Sequence, residues 1–220
     1  MKWVRDNGLT LALMALFLLS VIGQAWSGWL ADIEEQARHG EAAPALTEYI
    51  TSGNFLSALF ENWESEFLQM WAFVMLTAYL IQKGSPESRK PDEENPQDRD
   101  PVLDQNKPDA PWPVRFGGLV RVVYSHSLGF ALLALFIATF VLHWVNSTRH
   151  AAEEARAHGE AAPTLMQRIG EAQFWFESFQ NWQSEFLSTA VLIVLAVFLR
   201  ERHSPESKPV GAPHSETGAE

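Results

Sequence analysis

The chain has 220 residues, 47% of them apolar, with nine tryptophans, no cysteine and a formal net charge of −11. The missing cysteine excludes disulfides, thiolate nucleophiles and cysteine-ligated metal. The acidic balance and the lack of any polybasic block argue against nucleic acid as a partner. Composition alone leaves the fold class open, because the mean hydropathy of −0.09 averages very apolar stretches with very polar ones.

From Leu9 to Leu30 the only strongly polar side chain is Gln24. About 20 such residues at the helical rise cross a bilayer core. Lys2 and Arg5 ahead of this run, with Ala25-Trp26-Ser27 near its end, faintly outline a cleaved secretory signal. An internal segment, 128–145, has the same layout where no such reading applies, so the first helix is expected to remain as an anchor. The chain then turns polar over Asp32 to Arg38 and is expected to stop at Gly40, since glycine suits a left-handed stop. Pro44 forbids simple continuation. Leu46, Tyr49 and Ile50 have helical spacing and predict a short amphipathic helix lying at the interface. The next helix is expected to start near Asn54. Its apolar run, Phe67 to Ile81, is short of a full span, and Phe55 to Trp63 supplies the missing turn.

Between Gly84 and Pro113 lie seven prolines and many charges of both signs. Such a composition cannot bury enough apolar surface to fold alone, so residues 84–115 are expected to form a disordered cytoplasmic linker. The second half then repeats the first. Leu128 to Val145 is an apolar run with His143 as its only ionisable residue, and a polar segment from Arg149 to Ala157 ends at Gly159 and Pro163. Leu165 and Ile169 take the places of Leu46 and Ile50, and a last helix runs from near Gln173 through Phe186 to Leu199. The tail, 204–220, is expected to be disordered like the linker.

A shift of 119 residues aligns the two halves without a gap: His39-Gly40-Glu41-Ala42-Ala43-Pro44 falls on His158 to Pro163, and Ser85-Pro86-Glu87-Ser88 on Ser204 to Ser207. Over Glu34–Leu68 against Glu153–Leu187, 18 of 35 positions are identical. Duplication is the reading. The expected fold is all-α: an integral membrane four-helix bundle made of two tandem parallel two-helix repeats, over residues 1–83 and 116–203. Each unit has an even number of spans, so both copies face the same way. Of the 16 Lys and Arg, 12 lie in the N-terminus, linker and tail, which places both termini in the cytoplasm by the positive-inside rule. Tryptophans 26, 29, 63, 144, 175 and 182 gather at the outer boundary and read first as an aromatic belt.

Asn62, Ser65, Glu66 and Gln69 share one helical face, as do Asn181, Ser184, Glu185 and Ser188. With Gln24 and His143 from the first helices, they are candidates to line an outward-open polar pocket for protons, cations or a ligand. An ionisable residue in a membrane helix is a functional candidate because burying its charge is expensive. Glu66 and Glu185, however, are expected about one turn below the surface, where hydrogen bonding between helices or capping of the membrane entry is the preferred explanation. Glu35 and His39, with Glu154 and His158, stand four apart, a spacing that lets two side chains share a metal. That signal is weak, because the same residues read as a helix stop copied by duplication. No phosphate loop, His-Glu-x-x-His motif or serine nucleophile motif is present.

The opening Arg5-Asp6-Asn7-Gly8-Leu9, the loop Glu34-Glu35-Gln36 with His39-Gly40, the run from Phe60 to Gln69 and the segment Lys83 to Ser88 resemble a bacterial family of uncharacterised four-pass membrane proteins, known only as a domain of unknown function. The resemblance implies a bacterial inner-membrane location and supplies no activity or site residues. The expected function is that of a non-enzymatic multi-pass membrane protein without cofactor: a scaffold, envelope-stress factor or accessory subunit. Its expected partners are the lipid bilayer and copies of itself or another membrane protein, with no nucleic acid. The competing readings are a small transporter or channel using Glu66 and Glu185 and, more remotely, a metal-dependent membrane enzyme.

Overall fold

A computed structural model describes residues 2–40, 42–90, 93 and 95–218. Glu41 of the His39–Pro44 motif, and Pro91, Asp92 and Glu94 of the linker, lie outside the described residues. Every described element is helical: α1 (Lys2–Asp6), α2 (Gly8–His39), α3 (Leu46–Tyr49), α4 (Gly53–Tyr79), α5 (Trp112–Phe116), α6 (Gly118–Ser125), α7 (Ser127–Ala157), α8 (Leu165–Arg168) and α9 (Ala172–Phe198), with 3-10 turns at Pro96–Asp98 and Pro101–Asp104. Three of these, α2, α7 and α9, are long and apolar enough to cross a membrane. At 27 residues α4 matches α9 in length, but it carries Glu61, Glu64 and Glu66 and is less apolar.

Local chemistry explains the boundaries. Gly40 and Gly159 hold φ of +73° and +72°, a backbone conformation in which a Cβ is strained, so the helix stops there. Entry into α3 and α8 uses one device twice: the Glu48 carboxylate accepts from the Ala45 N–H at 2.9 Å, and the Gln167 side chain from the Thr164 N–H at 2.8 Å. The Ser52 hydroxyl accepts from the Phe55 N–H at 3.2 Å and so opens α4. The breaks between α1 and α2 at Asn7 and between α6 and α7 at His126 were not expected. They stand 119 residues apart, as do the starts of α2 and α7, α3 and α8, and α4 and α9.

The chain divides into two compact units, residues 1–60 with 141–174, and residues 61–140 with 175–220. In the first, the Trp29 indole donates to the Pro44 carbonyl and the Trp144 indole to the Leu165 carbonyl, both at 2.9 Å. These bonds tie α3 and α8 down onto the long helices. The Arg149 guanidinium donates to the Thr51 carbonyl at 2.7 Å. The buried Tyr49 packs on Phe55 with ring centroids 5.5 Å apart. Buried Arg168 donates to the Ser147 hydroxyl and to Glu171, each at 2.9 Å.

In the second unit, an aromatic cluster joins Phe136, Trp175, Phe179 and Trp182, with Trp182 5.3 Å from Phe179 and 6.2 Å from Phe136. The two Ser-Pro-Glu-Ser segments form the same turn: the Ser88 hydroxyl accepts from the Gln82 N–H at 2.8 Å and the Ser207 hydroxyl from the Glu201 N–H at 2.9 Å. Described residues of the linker and tail carry local hydrogen bonds. The Asp100 carboxylate caps the Val102 N–H at 2.9 Å in the linker. In the tail the buried Lys208 ammonium donates to the carbonyls of Pro213, His214 and Glu216. Enclosure, and secondarily the nearby Arg200, push the Lys208 pKa down. The tail also reaches the loop after α4: the Gly84 N–H donates to the Thr217 hydroxyl at 2.8 Å and the Gly218 N–H to the Ser85 carbonyl at 2.9 Å. Composition had no way to register such pairings.

Apolar burial is slight for so apolar a chain. Leu9, Leu13, Leu16, Leu18, Leu19 and Ile22 of α2 are all exposed, and α2 has no buried residue. An apolar surface of that extent is far beyond what water tolerates on a monomer.

Candidate functional site

The residues expected to form an outer pocket take several different roles. In the first unit Gln24 is half-buried, and His143 is buried and stacked on Phe174 with centroids 4.8 Å apart. In the second, Ser65 is buried and donates to the Asn62 carbonyl at 2.7 Å, while Ser184 and Ser188 donate to the carbonyls of Asn181 and Glu185 at 2.8 and 2.9 Å. Each of these hydroxyls therefore bonds its own helix. Asn62 and Glu66 are exposed, and the half-buried Glu185 lies within the electrostatic reach of Glu66.

The helix pair is joined by two acids that the spacing argument passed over. Glu64 is fully buried and accepts from the Trp182 indole at 3.2 Å. Glu61 accepts from the Asn181 side-chain amide. A carboxylate is tolerated away from water only when hydrogen bonds replace its hydration. The available signal was an asymmetry between positions 119 residues apart: Glu61 and Glu64 align with Gln180 and Gln183, so α4 carries acids where α9 carries amides.

The candidate metal ligands Glu35, His39, Glu154 and His158 are all exposed. His158 Nδ1 lies 2.9 Å from the Glu154 carbonyl, and the Glu154 carboxylate lies 3.6 Å from His150. Among the described residues no three His, Cys, Asp or Glu side chains come together as a metal site would need.

A cavity of about 380 Å³ opens in the second unit, between the later halves of α4 and α9. Its walls include Ala72, Leu76, Ala190 and Val194, and its floor is Gln82, Ser85, Glu87 and Ser88. Gln69 is the member of the expected outer pocket that lines it; the cavity runs from there towards Ile81, away from Glu66. At the floor the Glu87 and Glu206 carboxyl groups are hydrogen-bonded. Burial, and then the bond to and charge of Glu206, push the Glu87 pKa up to about 7. The two glutamates stand 119 residues apart at matching places in the Ser-Pro-Glu-Ser segments, which the sequence marked only as similar stretches.

The family model described as Domain of unknown function (DUF6766) matches residues 1–219, and the chain belongs to that family. No curated protein and no solved structure matches it.

Proposed function

With membership of that family as the premise, we propose that the chain is a four-pass protein of the bacterial inner membrane that works through contacts with lipid and neighbouring helices, without catalysis. The observation that carries this reading is the division of labour on the long helices. Their apolar side chains face outward over most of their length, while the acids of α4 bond the indole and amide of α9. A bilayer rewards that arrangement, because polar groups in it must find partners within the protein.

The fourth pass is α4, whose bounds precede those of α9 by 119 residues at both ends, as two tandem parallel units require. The basic residues outside the hairpin loops support a reading with both termini in the cytoplasm. A role as scaffold, envelope-stress factor or accessory subunit, acting as a homo-oligomer or beside another membrane protein, follows from this reading. Because the chain has no native cysteine, labelling tests it directly. In intact cells an impermeant maleimide is expected to modify Thr47→Cys and to spare Ser215→Cys. The reverse pattern overturns the topology.

A second reading, a small transporter or channel, draws on the exposed Glu66 and its proximity to Glu185. Proton or cation flux into proteoliposomes that disappears in both Glu66→Gln and Glu185→Gln would displace the first reading.

A further inference from the structure

The cavity between α4 and α9 combines apolar walls with an acidic floor at one end of the helices. We propose that it is a binding site for a phospholipid whose headgroup carries a primary ammonium, with an acyl chain between the two helices and the ammonium at Glu87. The inference rests on the membrane reading above and adds the class of ligand.

Size and shape come first. Ligand pockets occupy roughly 300 to 1,000 Å³, and this one has about 380 Å³. Ala72 and Ala190, one on each helix, are small side chains on its walls, where a larger residue would fill the space. Leu76 and Val194 line the cavity and are also about half exposed on the outer surface. The opening therefore faces sideways, the direction from which a bilayer lipid arrives.

Charge selects the headgroup. Glu87 lines the floor and shares a hydrogen bond with Glu206. Three cations that flank the Ser-Pro-Glu-Ser segments have partners of their own: Arg89 pairs with Asp98 at 2.9 Å, Lys90 with Glu93 at 3.6 Å, and the Lys208 ammonium is held by three carbonyls. Among the described residues no salt bridge engages Glu87 or Glu206. An anionic headgroup would be repelled by this pair. A quaternary ammonium would bring the charge but no N–H donor, whereas a primary ammonium brings three. The charge-assisted bonds it makes to carboxylates are stronger than neutral ones.

The test uses the full chain in nanodiscs of equal parts phosphatidylethanolamine, phosphatidylglycerol and phosphatidylcholine, doped with a lipid that carries a photoactivatable acyl chain. After irradiation, adducts are mapped by peptide mass. The ethanolamine probe is expected to label 72–81 and 190–194 at several times the yield of the glycerol and choline probes. Glu87→Gln is expected to bring the yields to parity without lowering the melting temperature, and Glu206→Gln, on an exposed side chain, to reduce the preference independently. Equal labelling by all three headgroups in the unaltered chain, or a preference that survives both substitutions, overturns the proposal. Failure to enter nanodiscs, with the chain remaining in the aqueous fraction, overturns the membrane reading itself and is seen before any probe is added.

Discussion

The hydroxyl of Tyr49 lies where a side chain on Gly28 would begin: a Cβ placed there would stand 2.1 Å from the phenolic oxygen. At the corresponding places 119 residues on, Ser147 and Arg168 are joined by a 2.9 Å hydrogen bond. One junction is closed by shape and the other by charge, and each needs both of its residues changed together. Gly28→Ala is expected to destabilise by about 1–3 kcal/mol through overpacking. Adding Tyr49→Phe is expected to recover part of the loss, because it removes the atom in closest conflict. Thermal melts of the two single variants and the double variant in detergent measure the coupling.

Arg168 is buried and bonds both Ser147 and Glu171. Arg168→Ala is expected to cost about 1.5–3 kcal/mol, the range for hydrogen bonds to a charged group. Arg168→Lys is expected to recover less than half, since an ammonium lacks the planar fork that serves two acceptors at once. Denaturant titrations of both variants check the order.

At the buried carboxylate of Glu64 the two partners respond differently. Trp182→Phe removes the indole donor and is expected to cost about 1–3 kcal/mol by leaving an acceptor short of a partner. Glu64→Gln keeps an acceptor oxygen and discards the charge, and glutamine already stands at the equivalent Gln183. It is expected to change stability by less than about 1 kcal/mol. If Glu64→Gln proves the more damaging of the two, the charge itself matters at this position.

The Glu87 carboxyl supplies a pH dependence whose sign is fixed by its shift. Its pKa rises from an ordinary 4.5 to about 7 on folding, so between those values the folded state holds the extra proton. Stability is therefore expected to fall as pH rises from about 4.5 to about 7 and to level off above that. Because the group is partly exposed, screening holds the change to about 1 kcal/mol. Glu87→Gln is expected to flatten this part of the curve, as read from melting temperatures across the same range.

Helix stops were readable because they depend on local chemistry: glycine at Gly40 and Gly159 and proline after each mark the chain wherever it sits. The short helices at Leu46 and Leu165 followed from spacing in the same way. The breaks at Asn7 and His126 were not legible, since neither residue forbids a helix and both lie in helix-compatible sequence. Spacing also showed which polar residues share a face, but not what that face meets. It singled out Glu66 and passed over the buried Glu64 two residues earlier. The pairing of Glu87 with Glu206 spans more than half the chain, and only the folded backbone brings them together.

The bonds from Gly84 to Thr217 and from Gly218 to Ser85 act as a latch between the tail and the point where α4 has just ended. A tag or fusion joined beyond residue 218 would therefore start from a fastened segment, and a pull on it would be felt first at Ser85 and then at Gly84, inside the fold. The amide of Gly84, whose hydrogen-bond acceptor is the Thr217 hydroxyl of that latch, would report its release by exchanging its proton with solvent while the helices stay intact.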